Sequence, residues 1–314
     1  MSRHRIRRGL AAAATAACAA MAVSAATPTP ASAETTYPVG DVGTAVGNFF
    51  FSPDAVPGAN IWSCKPSAAH PRPVVIVHGT TSNFGSAGAM IAPTLANHGY
   101  CVYGFNYGET YSTLGHIYGL GDIAESARTM RAFVDKVLAA TGAAEVDVVG
   151  GSQGGMMPNY YIKRLGGAAK VRTLIGLGPT NHGTTLGGLV DLGRALNVLG
   201  IVNGFYHLIG SPAHVQQEEG SEFQKALFAD GDTVPGVRYL TVATSHDTTV
   251  TPLTNSFLHG GDATNILLQD LCPDDPVSHS GMSFDGPIMQ IILNALGPDA
   301  PGFEPECTGY GPNV

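Results

Sequence analysis

The stretch VDVVGGSQGGMMPNYY, residues 146–161, runs four mostly apolar residues into glycines on both sides of one serine, Ser152. A serine hydroxyl is a weak nucleophile near neutral pH unless a base takes its proton and an acid orients that base. Gly150-Gly151-Ser152-Gln153-Gly154 fits GxSxG. The context adds weight to the letters, because a β-branched run precedes the pattern and a helical stretch follows it. A chain that turns from strand into helix in so few residues holds its serine in a disfavoured backbone region. A Cβ two positions to either side would collide with the crossing chain, and glycine at 150 and 154 removes those atoms. The hydroxyl then stands clear of the sheet at a helix N-terminus, where the helix dipole favours developing negative charge.

Where GxSxG takes this form, the partners follow in the order Ser, Asp or Glu, His. The run Tyr239 to Ala243 reads as a strand and empties into Thr244-Ser245-His246-Asp247, which puts Asp247 at the carboxyl edge where α/β sites assemble. Asp230 and Asp232 fall in a Gly-containing turn and read as solvated; Asp191 lies in an apolar stretch. For the base, Ile266 to Leu268 leads into Val277-Ser278-His279-Ser280-Gly281. His279 is preferred to His246 and His259 because a base must come from the loop after the last strand to reach Ser152. Oxyanion donors are expected from Thr80, after the run Val74 to Val77, and from the backbone N–H of Gln153, with the Thr80 hydroxyl as a further donor. His78 reads as a support for that loop. His182, beyond the run Leu174 to Leu177, should lie on the same sheet edge, and two readings stay open for it: lining the pocket or stabilising a turn. This chemistry requires no metal and no cofactor, and no CxxC spacing suggests a metal.

The elements that must position these groups follow from the pattern. Val74 to Val77, Val102 to Phe105, Val146 to Val149, Leu174 to Leu177, Tyr239 to Ala243 and Ile266 to Leu268 are short and nearly all apolar, as strands buried on both faces are. Helical spacing covers Asp122 to Ala140, with Gly142 as a stop, and marks Ala87 to Asn97 and Ser283 to Leu296. Alternating strand and helix predict an α/β fold: a mostly parallel, doubly wound sheet with helices on both faces. Residues 34–60 read as an irregular arm. Pro158, inside the helix after Ser152, deprives the Gly154 carbonyl of its partner. Leu186 to Ile209 is apolar on every side of a helical wheel. It is either core helices or a small helical cap or lid, within 186–220, whose outer face meets substrate or lipid.

Residues 1–33 read as a secretory signal peptide: four arginines in MSRHRIRR, an Ala-rich apolar stretch, and Ala31-Ser32-Ala33 at the cleavage positions. Export is the expectation; Arg7-Arg8 leaves the twin-arginine route open beside the general one. Residues 34–314 are expected to form one catalytic domain. They keep 12 Lys+Arg against 24 Asp+Glu, a net charge of −12, which disfavours nucleic acid and anionic membranes as partners. A neutral or apolar small molecule fits better, and no obligate protein partner is predicted. Cys64, Cys101, Cys272 and Cys307 allow three connectivities; pairing sequence neighbours gives Cys64–Cys101 and Cys272–Cys307.

VVIVHGTTSNF, GGSQGGMMPNYYIKRLGG, LIGLGPTNHGTT, SHDTTVTP and LQDLCPDDPVSHSG resemble the secreted class 2 lipases of actinomycete bacteria, within the α/β-hydrolase superfamily. More distantly, the Ser-Gln-Gly-Gly turn, the Gly-Thr loop and the cysteine placement are similar to the fungal lipase of the B type. The resemblance covers nearly all of residues 60–307. It implies an α/β-hydrolase fold and carboxylic ester hydrolysis, with Ser152, Asp247 and His279 as triad, Thr80 and Gln153 as oxyanion donors, and both bridges above. It further implies a lipid or small-molecule ester as substrate and action at a lipid–water interface. Many relatives carry His where Gly151 stands, a position that varies without altering the chemistry. An acyltransferase or polyester depolymerase would use the same triad, and a non-catalytic binding protein of the same fold is the remaining alternative.

Overall fold

The computed structural model describes residues 36–313 except Asp299 and Pro301; the expected signal peptide lies outside the described residues. Six strands, β1 (Val74–Val77), β2 (Val102–Phe105), β3 (Val146–Gly151), β4 (Val171–Leu177), β5 (Arg238–Ala243) and β6 (Ala263–Leu267), form one sheet in the order β2-β1-β3-β4-β5-β6. Every pairing is parallel. Among the described residues eleven α-helices precede, connect or follow them: α1 (Val42–Phe51), α2 (Phe84–Ala87), α3 (Ile91–Asn97), α4 (Ile123–Thr141), α5 (Gln153–Arg164), α6 (Leu189–Ala195), α7 (Leu199–Leu208), α8 (Pro212–Gln216), α9 (Glu222–Phe228), α10 (Leu268–Leu271) and α11 (Gly286–Leu296). The chain winds outward from β1 to β2, then returns to build β3 to β6 on the other side. The strand order therefore reverses between β1 and β3, where α/β sheets open a crevice at their carboxyl ends.

Alternation along the strands feeds two cores. Val75, Val77 and Val148 pack with Met130, Val134 and Val137 of α4 and Met156 of α5. Val74, Ile76 and Val149 face the other way, onto Ile91 and Leu95 of α3 and Ile288 and Ile292 of α11. Burying each such side chain contributes roughly 1.5–3 kcal/mol, so both layers of helices are needed to hold the sheet. Helix α4 starts where the Asp122 carboxylate accepts the Glu125 N–H and stops at Gly142, whose φ of 80° suits glycine.

Two expectations about elements change. The single helix over Ala87 to Asn97 is two, α2 and α3. Pro93 has no N–H to offer the Ala89 carbonyl, which accepts instead from the Gly40 N–H at 3.0 Å. Residues 34–60 are not wholly irregular, since they contain α1, whose first turn is closed by the Asp41 carboxylate on the Thr44 N–H. The interior glycines Gly43 and Gly47 hide this helix from propensity.

Both cysteine pairs are disulfides. Cys64–Cys101 ties the segment before β1 to the entry of β2, and Cys272–Cys307 ties the segment before His279 to the C-terminal stretch. Among the described residues no helix is long and apolar enough to cross a membrane.

Candidate active site

Ser152 caps α5 at φ 54° and ψ −126°, a backbone region that costs a non-glycine residue about 1–3 kcal/mol. Its surroundings hold it there. The Ser152 N–H donates to the Leu177 carbonyl of β4, and the Gly155 N–H donates to the Ser152 carbonyl, both at 2.9 Å. A Cβ on Gly150 would lie 2.0 Å from the Gly154 carbonyl oxygen, and one on Gly154 would lie 2.2 Å from that of Val77. Gly151 is different: nothing comes closer than 3.9 Å to its Cβ position, so an added methyl there makes only ordinary contact.

Parallel register sets Val77 beside Gly150, so the residues leaving β1 run alongside those approaching Ser152. A Cβ on Gly79 would sit 3.2 Å from the Ser152 Cβ. His78 is fully buried and stacks on Tyr107 at 4.2 Å. Burial pushes its imidazole down to about 4, against the pull of its bond to Gly79, so at neutral pH the ring is uncharged. Its Nδ1 donates to the Gly79 carbonyl at 2.8 Å. Because the peptide is planar and trans, a carbonyl held toward the His78 ring turns the Thr80 N–H to the opposite edge. Neither the Thr80 N–H nor the Gln153 N–H has a hydrogen-bond partner among the described residues.

The Thr80 hydroxyl is held by two glutamines. Gln153 Nε2 donates to Thr80 Oγ1 at 2.9 Å and to the Gly119 carbonyl at 3.0 Å. Gln217 Nε2 donates to the same Oγ1 at 2.8 Å and to the Ala213 carbonyl at 3.0 Å. Each carbonyl can only accept, which fixes both amide orientations. Both lone pairs of Oγ1 are thereby used, and the hydroxyl proton is left for a third partner in the cavity that Thr80 lines. Gln217, in the segment after α8, was not foreseen from sequence. A glutamine in a polar run (HVQQEEG) carries no signal until the fold brings it to Thr80.

Asp247 and His279 meet directly: Nδ1 of the ring lies 2.7 Å from Asp247 Oδ2. Asp247 Oδ1 accepts the N–H groups of Thr249 and Val250, both at 2.8 Å, so the carboxylate cannot swing. With the carboxylate accepting at Nδ1, the neutral ring carries its proton there and offers the Nε2 lone pair to another group. The pair packs against Gly178, at φ 51°, where a Cβ would come within 3.0 Å of the His279 ring. Gln269 spans from the Thr244 hydroxyl to the Asp275 carbonyl, and Thr244 donates to the Val277 carbonyl, which fastens the His279 loop to the end of β5.

Ser152, His279, Gly79 and Thr80 line one cavity of about 410 Å³. Ala45 of α1, Leu186, His214 and Gln217 also line it; the last three fall within 186–220, the stretch read from sequence as core or cap, while Ala45 carried no signal. His182 is not among the lining residues. It turns to Asp232, with Nε2 3.1 Å from Oδ2, although Thr180 and Thr184 of the same segment line the cavity. Its own N–H donates to the Asn255 carbonyl at 2.8 Å.

The sequence model of the class 2 lipases matches residues 71–256, more than half of the chain. The chain belongs to the class 2 lipase family. Among solved structures, lipase B of Aspergillus fumigatus superposes with a TM-score of 0.59 at 19% identity, over 81% of this chain. The chain spans 62% of the length of that lipase. The mature lipase of Bacillus licheniformis superposes at 0.55 with 18% identity, over 74% of this chain and 94% of its own. At those identities the likeness establishes the fold, an α/β-hydrolase, while the family match places the chain among the class 2 lipases.

Within Leu186 to Ile209, helix α7 buries none of its residues; Ile201, Phe205 and Leu208 are 74%, 58% and 75% exposed. Helix α6 buries Val190, and Leu186, at the start of the segment, reaches the cavity, as does His214 beyond its end.

Proposed function

We propose that this chain is a secreted serine lipase or esterase in which residues 34–314 form one catalytic domain and Ser152, His279 and Asp247 act as a triad. Ser152 Oγ attacks the ester carbonyl and His279 Nε2 takes its proton. Asp247 holds the ring as it becomes imidazolium, and the proton passes to the leaving alcohol. Water, activated by the same ring, then releases the acid. The N–H groups of Thr80 and Gln153 and the Thr80 hydroxyl receive the negative charge that develops on the carbonyl oxygen. The observation that carries this reading is the 2.7 Å Asp247–His279 contact beside a cavity that Ser152 lines from a strained turn.

The substrate is a lipid ester, and the exposed apolar residues of α6 and α7, with Leu189, Leu192 and Leu196 beside those named above, support action at a lipid–water interface. Two disulfides fit export to an oxidising compartment. A fluorophosphonate probe is expected to label the wild-type chain and not the Ser152→Ala variant. Hydrolysis of p-nitrophenyl esters and emulsified triglyceride should vanish with the same substitution. Labelling that persists in Ser152→Ala, or hydrolysis that survives it, would overturn the proposal.

A further inference from the structure

Among the described residues, one group of three metal-competent side chains converges outside the Ser152 cavity: His182, Asp232 and His259. They come from three connections, the one after β4, the one between α9 and β5, and the one leading into β6. Asp232, read from sequence as solvated in a Gly-containing turn, is buried. One of its oxygens, Oδ2, faces His182 Nε2 at 3.1 Å and His259 Nδ1 at 3.0 Å, and accepts the His259 N–H at 2.7 Å. All three donor atoms lie within 4.8 Å of one another.

We propose that His182 Nε2, Asp232 Oδ2 and His259 Nδ1 bind a divalent transition-metal ion of the Zn²⁺ type, clamping the segment after β4 to those entering β5 and β6. Two imidazoles and one carboxylate are a donor set suited to Zn²⁺, with water completing the shell. Metal–ligand distances of about 2.1 Å place tetrahedral donors about 3.4 Å apart. The separations from Asp232 to each ring, 3.1 and 3.0 Å, are within a few tenths of an ångström of that figure, and the two ring nitrogens lie within 4.8 Å of each other, so an ion requires the rings to settle around it without backbone rearrangement. An entry path exists, since the three residues line a cavity of about 500 Å³ together with Gly231, Thr254 and Asn255, and the His259 ring is 80% exposed. None of these residues lines the Ser152 cavity.

The carboxylate is aimed at the site: its Oδ2 faces both rings and is fixed by the His259 backbone N–H at 2.7 Å. His182 is held at its backbone by the Asn255 carbonyl, and Asn255 Nδ2 donates to Glu219 Oε1 at 3.1 Å, so the least exposed imidazole ligand is preset by its neighbours. Sequence spacing conceals the group, because the ligands stand 50 and 27 residues from Asp232.

The test uses the full, untagged, chelator-treated chain titrated with Zn²⁺ alone by calorimetry, and with Co²⁺ followed by its visible absorption. One equivalent per chain is expected, with a rise in melting temperature that a chelator reverses. His259→Gln, at an exposed ring, should leave the metal-free melting temperature nearly unchanged and weaken Zn²⁺ binding at least tenfold; His182→Gln should do the same to binding. No stoichiometric uptake by the wild-type chain would overturn the proposal. So would uptake that both variants retain, because the ion would then sit elsewhere. Neither readout depends on ester hydrolysis, so the outcome is independent of the role of Ser152.

Discussion

Thr80→Val removes one hydroxyl while keeping the volume and branching of the side chain. Two effects follow, and they separate by assay. In the native site Oγ1 accepts from Gln153 Nε2 and from Gln217 Nε2. Each amide keeps its second acceptor, Gly119 or Ala213. The substitution therefore strands one N–H on each of two buried glutamines, at about 1–3 kcal/mol apiece before relaxation. That predicts a stability loss of about 2–4 kcal/mol, measurable by urea unfolding, in a protein that still folds. Under the proposed mechanism, catalysis loses a donor whose proton both amides leave unclaimed. Removal of one oxyanion donor costs about 3 kcal/mol of transition-state stabilisation, so kcat for p-nitrophenyl butyrate should fall about a hundredfold with KM nearly unchanged. Thr80→Ser keeps the hydroxyl and should retain kcat within a few-fold. A folded Thr80→Val enzyme with kcat within threefold of wild type would refute the assignment. Equal losses in the Ser and Val variants would show that packing around residue 80, rather than the hydroxyl alone, sets the rate.

Gly151→Ala should be tolerated, with stability within about 0.5 kcal/mol of wild type, whereas Gly154→Ala drives a Cβ into two backbone carbonyls and should cost more than about 3 kcal/mol or prevent folding; parallel unfolding curves for the two variants would contradict this. Asp247→Asn can still accept from Thr249 and Val250 but presents the wrong partner to Nδ1, so kcat should drop about ten-thousandfold at nearly unchanged melting temperature, as single-turnover kinetics would reveal. Asp285, buried and facing Asp275, is pushed up to about 6 by burial and then by its like-charged neighbour, although the Gly311 and Ile288 N–H groups pull it down. The folded chain thus holds a proton that the unfolded chain releases near 3.8, and stability falls as pH rises from about 4 to about 6. Asp275→Asn should flatten that slope and raise the melting temperature at pH 7 by roughly 2–4 °C; pH profiles parallel to wild type would count against it.

Much of the fold was legible because its signals are local. Buried parallel strands must be apolar on both faces, so Val74–Val77 and Val102–Phe105 stand out with the bounds the structure has. Ser152 was legible because a strained turn needs glycines at fixed offsets from it, and the carboxyl ends of strands point to Asp247 and His279. Helix α1 was not, since two glycines dilute its propensity and its Asp41 cap is not recognisable before the helix is. Leu186 to Ile209 could not be assigned either, because an apolar wheel has the same composition whether it faces a core or water.

What sequence by itself determined about this protein is most of the strand and helix alphabet and the strained glycine-flanked turn at Ser152, since each depends on residues adjacent in the chain. Only the tertiary structure decided that Gln217 holds the Thr80 hydroxyl, that His182 leaves the cavity for Asp232, and that α7 lies outside. Those outcomes depend on distances between segments far apart in the chain, and such distances are set by how the two cores close around the sheet.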